Sequence, residues 1–426
     1  MNKNIREIDH KDFEKDVLNG KNVIIDFYST ECPPCDALAT KFETLSEIFN
    51  DQIKFFKIFR QQNRELAGEL GVSGSPTLLF FKDGKETGKR LSGSIKLSDI
   101  TVQMAYLIDK SEIEQRLNSI TKVESKYSVT IIGGGPAGLT AAIYLGQAHV
   151  KTVVIDQALY GGNVAITHSV SNYPGFSEPV NGYMLAHHIN EQAKKTGVDF
   201  RYASDVNEID LYSKTIRINN YETIKSDYII LATGTSPNLL GIPGEIENRG
   251  KGVSYCATCD GKYYQDMDIA VIGGGNSAVE EALFLTKFAR TVTIIHRRKD
   301  FRANKEALEL MYNNPKIRLL LDHEVKSIHK KGTNDINLQL FNKNTNELSD
   351  FNTAGVFIFI GLKPNTYGIK GNLKLDNDGY IITDNEMATG ISGVYAAGDL
   401  VSKPVRQITT AVSDGTIAAV SISKKI

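Results

Sequence analysis

One pattern occurs twice in this chain of 426 residues and limits what the chain can fold into. Residues 129–156, VTIIGGGPAGLTAAIYLGQAHVKTVVID, and residues 269–296, IAVIGGGNSAVEEALFLTKFARTVTIIH, both begin with a β-branched run that predicts a buried strand. Three glycines then lead into a helical pattern and a second apolar strand. Strand, glycine turn, helix and strand in this order are the fingerprint of a dinucleotide-binding unit. The sequence therefore predicts an α/β chain with two such Rossmann-like units.

The glycines of each copy suit a bound diphosphate. They let the backbone turn tightly and approach a pyrophosphate, which the N-terminus of the following helix stabilises. In the first copy they are Gly133, Gly135 and Gly138, and in the second Gly273 and Gly275 precede the helix. The alternative is that they serve only a tight turn. Because each copy also has its flanking strand and helix, we interpret both as nucleotide sites.

The two copies end differently, and the difference is chemical. The first ends in Asp156, an acceptor suited to ribose hydroxyls and repelled by a 2′-phosphate. The second ends in HRRKDFR, where Arg297, Arg298 and Arg302 could surround a 2′-phosphate with guanidinium groups. The first unit is therefore predicted to bind the ADP half of FAD and the second to bind NADPH. A solvated basic loop is the alternative for the arginines.

Length and charge exclude several other classes of protein. A chain of this length predicts about two to four domains. Its net charge of −1 gives no reason to expect a nucleic acid or an anionic membrane as partner. The charged N-terminus does not resemble a signal peptide, and no run of about 18 apolar residues predicts a membrane-spanning helix. We therefore expect a soluble cytoplasmic protein, in which close cysteine pairs are redox or metal sites more often than structural disulfides.

The four cysteines form two Cys-x-x-Cys pairs, Cys32 with Cys35 and Cys256 with Cys259. A zinc site would need all four sulfurs in one tetrahedron. Each pair instead lies in the sequence context of its own redox domain, so no metal site is predicted.

The first pair belongs to a separate N-terminal unit, residues 1–110. Residues 22–29 and 53–59 read as strands, and residues 75–93 read as two strands joined at Asp83-Gly84. Residues 97–108 read as an amphipathic helix. A Cys-x-x-Cys between a strand and a helix is typical of a thioredoxin-like fold.

From about residue 127 to the end, some 70% of its length, the chain resembles low-molecular-weight thioredoxin reductases. The motifs that carry the resemblance are GGGPAGLTAAIY, NYPGF, LATGTSPNLLGIPGE, YCATCDG, GGGNSAVEEA, HRRKDFRA, GLKPNT and GVYAAGDL followed by RQ. The resemblance implies a homodimeric flavoprotein. It also implies an NADPH domain that interrupts the FAD domain and rotates against it.

The resemblance implies a role for each matching residue. The residues that would hold FAD are Gly133, Gly135, Gly138, Asp156, Gly162, Asn172, Asp399, Arg406 and Gln407. Those that would hold NADPH are Gly273, Gly275, Ser277, Arg297, Arg298 and Arg302. Cys259 would face the flavin, Cys256 would attack the substrate disulfide, and Asp260 would be the general acid or base. Two positions depart from the family: Asp156 replaces the commoner Glu, and Asn163 stands where Gln is common.

The N-terminal unit resembles thioredoxin over about 110 residues. The resemblance implies that Cys32 is the nucleophile, Cys35 the resolving thiol and Pro76 the adjacent cis-proline. Asp26 would be the buried carboxyl that moves protons, with Lys57 as its ionic neighbour.

The active-site sequence of the N-terminal unit departs from the thioredoxin pattern. Glu31-Cys32-Pro33-Pro34-Cys35-Asp36 replaces the usual Trp-Cys-Gly-Pro-Cys-Lys. Two acidic neighbours oppose thiolate formation, although a helix N-terminus favours it. We predict a pKa of Cys32 above that of ordinary thioredoxins.

The predicted domains are residues 1–110 (thioredoxin-like), 111–126 (linker), 127–237 and 362–426 (FAD domain), and 238–361 (NADPH domain with Cys-x-x-Cys). The segment 109–126 could extend the preceding helix and then act as a tether, with a reach of at most roughly 60 Å. Such a tether would bring Cys32 to Cys256 within one chain or across a dimer, at a local concentration of roughly millimolar.

These elements predict a relay of electrons from NADPH to FAD, then to Cys256 and Cys259, then to Cys32 and Cys35, and finally to outside protein disulfides. Three alternatives stay open. The chain could be a dedicated peroxiredoxin reductase of the alkyl hydroperoxide reductase type. It could serve a free thioredoxin, with the N-terminal unit as a docking module. It could be a flavin NADPH oxidase with idle thiols.

Overall fold

Among the described residues the strands form three main sheets, one of which is built from two separate stretches of the chain. The computed structural model describes residues 3–167, 170, 172–366 and 368–426, and the side chains of residues 258 and 259 lie outside the described part. We call the three segments the N-terminal unit (residues 5–118), the first dinucleotide unit (123–237 and 369–423) and the second dinucleotide unit (253–358).

The N-terminal unit has a central sheet of order β1-β3-β2-β4-β5, in which β4 runs antiparallel to both of its neighbours. Its elements are β1 (Ile5–Glu7), α1 (His10–Phe13) with a π-helical turn (Glu14–Leu18), β2 (Asn22–Tyr28), α2 (Pro33–Phe49), β3 (Lys54–Phe59), α3 (Arg64–Glu69), β4 (Thr77–Lys82), β5 (Lys85–Ser92), α4 (Leu97–Met104) and α5 (Lys110–Asn118). The predicted turn between β4 and β5 is confirmed, since Asp83 and Gly84 have φ values of 48° and 73°.

The segment predicted as a linker is largely regular structure. Helix α5 packs Ile113 into the core of the N-terminal unit, and Arg116 Nη1 lies 2.7 Å from Asp51 Oδ1. The chain then enters the next sheet at Val123, so residues 119–122 alone separate the two elements. The predicted domain limits themselves stay predictions.

The first dinucleotide unit begins with the first copy of the repeat. Its elements in this part of the chain are β6 (Val123–Ile132), α6 (Pro136–Gln147), β7 (Thr152–Ile155), a 3-10 turn (Gly162–Val164), α7 (Gly182–Lys194), β8 (Asp199–Arg201), β9 (Val206–Asp210), β10 (Thr215–Ile218), β11 (Glu222–Leu231) and β12 (Thr235–Pro237). Strands β6 and β7 run parallel with Val129 opposite Thr152, as the strand–helix–strand prediction requires.

The second dinucleotide unit repeats this arrangement in a parallel sheet of order β13-β20-β14-β15-β16. Its elements and the strand after it are β13 (Val253–Ser254), α8 (Ala257–Asp260) with a 3-10 turn (Gly261–Tyr264), β14 (Asp268–Ile272), α9 (Asn276–Leu285), β15 (Thr291–His296), α10 (Lys305–Tyr312), β16 (Ile317–Leu321), β17 (His323–Gly332), β18 (Asp335–Asn342), β19 (Glu347–Thr353), β20 (Gly355–Ile358) and β21 (Leu362–Pro364). Strands β17, β18 and β19 form a separate antiparallel sheet.

The chain then returns to the first dinucleotide unit with β22 (Ile369–Lys370), β23 (Val394–Ala396) and α11 (Ile408–Ser423). In the described part of the chain its sheet has the order β22-β9-β10-β11-β6-β7-β8, with β23 beside β11. The two crossings between the units, β12 and β21, pair antiparallel with Thr235 opposite Pro364. The second unit is therefore inserted into the first, which confirms the predicted α/β fold class.

Both faces of the central strands are buried, which explains their continuous apolar runs. In β11, Ile229 and Ile230 are fully buried but pack into different cores, on opposite faces of the sheet. Ile24 and Ile25 of β2 do the same in the N-terminal unit. Within the described residues, no helix combines the length and the apolar character that crossing a membrane requires.

Candidate active site

A cavity of about 1120 Å³ runs along the first dinucleotide unit and reaches the second. Its lining brings together most of the residues predicted for FAD and two predicted for thiol chemistry. These are Gly133, Gly135, Asp156, Gly162, Asn172, Asp399, Arg406 and Gln407, together with Cys256 and Asp260. Residues more than 270 positions apart in the chain thus meet in one space because the second unit is inserted into the first.

The glycine turn forms one wall of this cavity. Gly133 has a φ of 113°, and a Cβ atom there would lie 2.2 Å from the carbonyl oxygen of Ala232. Gly135 is the N-cap of α6 and has open space where its Cβ would be. Gly138 does not line the cavity, and a Cβ there would lie 1.9 Å from the oxygen of Gly133. Gly138 therefore lets α6 pack onto the turn, while Gly135 leaves room for a diphosphate.

Asp156 follows β7 at the same end of the cavity. Its Oδ2 accepts from the N–H of Gly134 at 2.6 Å, and its Oδ1 accepts from the N–H of Ala158 at 2.7 Å. Burial raises the pKa of Asp156, while these two bonds and the charge of Lys96 act in the opposite direction. The carboxylate is thereby fixed in position as a hydrogen-bond acceptor.

The opposite wall comes from the residues around the start of α11. Asn172 Nδ2 donates to Gln407 Oε1 at 3.1 Å, and Arg406 Nε donates to the carbonyl oxygen of Asp399 at 3.1 Å. The Oδ1 atom of Asp399 is buried and has no hydrogen-bond partner within the described residues. A buried acceptor of this kind needs a donor, so the wall fits a ligand that carries hydroxyl or N–H groups.

The second dinucleotide unit contributes the thiol chemistry. Cys256 is disulfide-bonded and immediately precedes α8, whose last residue is Asp260. Ser254 connects the two, because its Oγ accepts from the N–H of Cys256 at 3.1 Å and donates to Asp260 Oδ2 at 2.6 Å. The predicted Cys259 lies in α8, but its side chain is outside the described part of the structure.

The other thiol pair lies at the start of α2 in the N-terminal unit. Cys32 and Cys35 form a disulfide, and their exposed fractions are only 8% and 9%. Cys32 is the N-cap of α2, and its Sγ accepts from the N–H of Cys35 at 3.3 Å. The Ser75–Pro76 peptide is cis, and the carbonyl oxygen of Ser75 lies 3.5 Å from Cys32 Sγ. The sequence-predicted residues Cys32, Cys35 and Pro76 are therefore neighbours.

Asp26 is buried in the middle of β2, and its Oδ1 has no hydrogen-bond partner in the described part of the chain. Burial raises the pKa of Asp26 to about 7, against an opposing effect from Lys57. The ammonium of Lys57 lies 5.9 Å from the ring centroids of both Tyr28 and Phe42. A carboxyl with this pKa can exchange a proton near neutral pH.

The glycine turn of the second unit resembles that of the first. Gly273 has a φ of 152°, and Gly275 is the N-cap of α9 with open space at its Cβ position. The other residues predicted for NADPH are exposed. Ser277 lies in the first turn of α9, and the loop after β15 contains Arg297, Arg298 and Arg302. The N–H of Arg302 donates to the oxygen of Gly274 at 2.8 Å, which holds the arginine loop against the glycines.

Two family models match this chain. The model described as pyridine nucleotide-disulphide oxidoreductase covers residues 127–415, and the thioredoxin model covers residues 4–105. The chain belongs to the pyridine nucleotide-disulphide oxidoreductase family. The predicted family, enzyme class and N-terminal thioredoxin domain are thereby confirmed.

Proteins similar to this oxidoreductase include several thioredoxin reductases. That of Peptoclostridium litorale is 43% identical over 315 residues, which cover 71% of this chain and 98% of the relative. That of Bacillus subtilis is 42% identical over 300 residues, covering 70% and 94%. The crystal structure of the Streptococcus pyogenes thioredoxin reductase is similar with a TM-score of 0.65 and 38% identity, covering 70% of this chain and 97% of that chain.

Some residues of this oxidoreductase site were not predicted from sequence. Ser254, which bridges Cys256 and Asp260, lies two positions before the Cys-x-x-Cys, and this closeness was the available signal. Ser94 and Lys96 of the thioredoxin domain line the cavity of the first dinucleotide unit, and no local pattern marks them. The described residues also contain no group of three or more His, Cys, Asp or Glu side chains that could hold a metal ion.

Proposed function

We propose that this oxidoreductase is an NADPH-dependent thioredoxin-disulfide reductase with FAD, which reduces its own thioredoxin domain. In this proposal electrons would pass from NADPH through FAD to Cys256 and Cys259, then to Cys32 and Cys35, and on to protein disulfides. The observation that carries the proposal is the cavity in which Cys256 and Asp260 meet the residues predicted for FAD.

The cavity walls fit FAD in two ways. The open N-cap of α6 at Gly135 suits the diphosphate, and Asp156 beside it suits the ribose hydroxyls of the ADP half. At the other wall, the Oδ1 atom of Asp399, which has no partner among the residues that the structure describes, would accept from a hydroxyl group of the cofactor. In the second unit, Gly273, Gly275 and Ser277 would contact the NADPH diphosphate, and Arg297, Arg298 and Arg302 would hold its 2′-phosphate. Bound FAD would supply hydride chemistry, accepting two electrons from NADPH and delivering them to the cysteine pair.

The chain's own residues would carry the later steps. Reduced Cys256 attacks Cys32, which opens the Cys32–Cys35 bond and leaves a thiolate on Cys35. Cys259 then attacks Cys256, which restores the first disulfide and releases Cys32. The two electrons are now on the thioredoxin domain, which passes them to an outside disulfide.

Protons must accompany these steps. Asp260, held by Ser254, would exchange a proton with the Cys256–Cys259 pair. Asp26, with a pKa of about 7, would exchange one in the thioredoxin domain.

The proposal requires a domain movement. Cys256 lines the cavity, whereas Cys32 does not line it and is nearly buried in its own domain. The two cysteines can exchange only after the second dinucleotide unit turns Cys256 away from the cavity and the thioredoxin domain leaves its present position.

The test is insulin-disulfide reduction driven by NADPH, with the purified chain as the only protein catalyst. We expect the wild-type chain to reduce insulin, and the Cys32→Ser and Cys256→Ser variants to lose this activity. Flavin reduction by NADPH should persist in both variants, which separates the thiol steps from cofactor binding. Undiminished insulin reduction by Cys32→Ser would refute the relay.

One observation favours a second candidate function. The thioredoxin domain contacts the first dinucleotide unit, with Ser98 Oγ 2.6 Å from Asp205 Oδ1. Such a domain could dock while the reductase serves a free thioredoxin. The double variant Cys32→Ser, Cys35→Ser separates the two functions. This function is favoured over the relay if the variant turns over added thioredoxin as the wild type does and, without added thioredoxin, shows no loss of insulin reduction.

We also propose a homodimer in a reducing cytoplasmic environment, and a protein disulfide such as that of a peroxiredoxin as the final acceptor. The family resemblance supports the dimer, and the Cys32–Cys35 disulfide supports a protein acceptor. Light scattering of the purified chain tests the dimer, and trapping of mixed disulfides with a Cys35→Ser variant tests the acceptor.

A further inference from the structure

One face of α2 attaches the thioredoxin domain to the first dinucleotide unit. Ala37 packs against the core of that unit. Lys41, one turn later on the same face, is 3% exposed, and its ammonium donates to the carbonyl oxygens of Ala37 at 2.6 Å, Ile95 at 3.3 Å and Tyr202 at 3.2 Å. A buried ammonium is stable only when acceptors surround it, and one of these acceptors belongs to the other domain.

A second contact lies at the start of α4. The carboxylate of Asp205 accepts from the N–H of Ser98 at 2.8 Å and from its hydroxyl at 2.6 Å. Asp205 belongs to the first dinucleotide unit, just before β9, and it does not line the cavity. Two charge-assisted hydrogen bonds at a helix N-terminus give this contact a defined orientation.

This orientation places Lys96 at the ADP end of the cavity. Lys96 is the N-cap of α4, and its N–H donates to Asp99 Oδ2 at 2.9 Å, which fixes its backbone. Lys96 lines the cavity together with Asp156 and Gln157, and its Nζ lies 3.5 Å from Gln157 Oε1. A residue of the thioredoxin domain thus faces the end of the cavity where the ribose and diphosphate are expected.

We propose that the docked thioredoxin domain completes the ADP end of the cavity, with Lys96 as an FAD-binding residue, so that FAD binding and docking stabilise each other. This rests on the proposed function, in which the cavity holds FAD. The ammonium of Lys96 has three donors, one of which is directed at Gln157, and it offers the others and a positive charge to the oxygens of an anionic ADP group. It also balances the negative charge of Asp156.

Mutual stabilisation has a functional consequence. If docking strengthens FAD binding, then FAD must strengthen docking by the same factor. The oxidoreductase that has lost FAD would therefore release its thioredoxin domain more readily, and a domain that leaves to reduce a target would temporarily loosen the cofactor.

The test measures the dissociation constant of FAD for the full-length, FAD-depleted chain by the change in flavin fluorescence. Lys96→Met should weaken binding about fivefold, as expected for one partly exposed charged contact. Lys96→Arg should retain binding, which shows that the charge matters. Lys89→Met, an exposed lysine on β5 of the same domain, is the matched control and should bind FAD like the wild type.

Two further measurements separate a cavity contact from a general loss of fold. Asp205 lies outside the cavity, but the Asp205→Ala variant should bind FAD about threefold more weakly, because the substitution weakens docking of the thioredoxin domain. Hydrogen exchange of the α4 amides should slow when FAD is added to the wild type and to Lys89→Met, but not when it is added to Lys96→Met.

Equal FAD affinity in Lys96→Met and the wild type would overturn this proposal. If adding FAD to the wild-type chain leaves hydrogen exchange of the α4 amides unchanged, the mutual stabilisation is refuted. A wild-type chain that binds no FAD would instead overturn the proposed function, so the two failures are distinguishable.

Discussion

The two dinucleotide units build the same turn and then differ at one topological position. In both, the first glycine has a positive φ, and a Cβ atom there would lie close to a carbonyl oxygen, at 2.2 Å for Gly133 and 2.3 Å for Gly273. At the end of the second strand, however, the units differ: Asp156 directly follows β7 in the first, and His296 is the last residue of β15 in the second. In the proposed function the shared backbone would hold a diphosphate, and the residue at the strand end would adapt the site to a particular nucleotide.

The two end residues contact the middle glycine of the turn in different ways. Asp156 accepts a hydrogen bond from the N–H of Gly134. The ring of His296 instead packs on Gly274, where a Cβ would lie 2.2 Å from the ring, and it stacks on Phe301 with centroids 5.2 Å apart. In the first unit a hydrogen-bond acceptor therefore lies against the glycine turn, whereas in the second a stack of two rings lies beside a loop of exposed arginines.

The largest effect on stability is expected from substitutions at the third glycine position, where the two units differ. Gly138 occupies it in the first unit and Ala278 in the second. Gly138→Ala would place a Cβ 1.9 Å from a backbone oxygen, so we expect it to cost about 3 kcal/mol or more of local stability. The reciprocal Ala278→Gly should cost only about 1 kcal/mol. Native-state hydrogen exchange of β6 and β14 amides measures both, and equal costs would show that the two turns pack alike.

The arginine loop should decide the choice of nicotinamide cofactor. Replacing Arg297, Arg298 and Arg302 together with Ala should raise the KM for NADPH about 100-fold, because guanidinium–phosphate contacts are lost, and should leave the KM for NADH almost unchanged. Lys299→Ala, on the same exposed loop, is the control. Steady-state kinetics with both cofactors measures the effect, and a parallel rise for NADH would assign the arginines to another role.

The comparison extends to the carboxyl of the thioredoxin domain. Asp156 has two N–H donors, whereas Asp26 Oδ1 has no partner among the described residues, and burial raises the pKa of Asp26 to about 7. Between pH 3.8 and about 7 the folded chain holds a proton on Asp26 that the unfolded chain has lost. The contribution of this proton to the free energy of unfolding is therefore complete below pH 3.8 and is lost as the pH rises to about 7.

Asp26→Asn should therefore stabilise β2 against exchange by roughly 2 kcal/mol at pH 8 and have little effect at pH 4. Hydrogen exchange of the β2 amides, corrected for the intrinsic pH dependence, provides the measurement. A stabilisation of the same size at both pH values would contradict the assigned pKa.

The smallest effect concerns His296. Burial lowers its pKa below the ordinary 6.5, and three nearby arginines act in the same direction. The unfolded chain therefore takes up a proton first as the pH falls, so the stability of the second unit is complete above pH 6.5 and declines below it. His296→Gln should flatten this decline in β15 amide exchange, while β7 in the first unit stays unaffected. An unchanged decline in the variant would assign the pH dependence to another group.

Local patterns predicted much of this molecule. The two repeats, the Asp83-Gly84 turn and Cys32 at the start of a helix follow from short-range signals such as glycine spacing and apolar runs, and the structure has each of them. That Pro76 lies beside Cys32 was implied only by the resemblance to thioredoxin, because the two residues are far apart in the chain. The linker was harder to predict, because α5 is a polar helix whose stability comes from Ile113 and Arg116 packing against a distant part of the same domain.

The sequence by itself determined the units, their order and the chemistry of each end, because these depend on residues close together in the chain. Only the tertiary structure decided which residues of the different units line the same cavity. The return of the chain through β22, β23 and α11 brings Asp399 and Gln407 to the glycine turn and to Cys256. The docking of α2 and α4 brings Lys96 there as well, through contacts such as Ser98 with Asp205 that span 107 residues. Such contacts depend on the complementary shape and charge of two folded surfaces, and no local pattern records them.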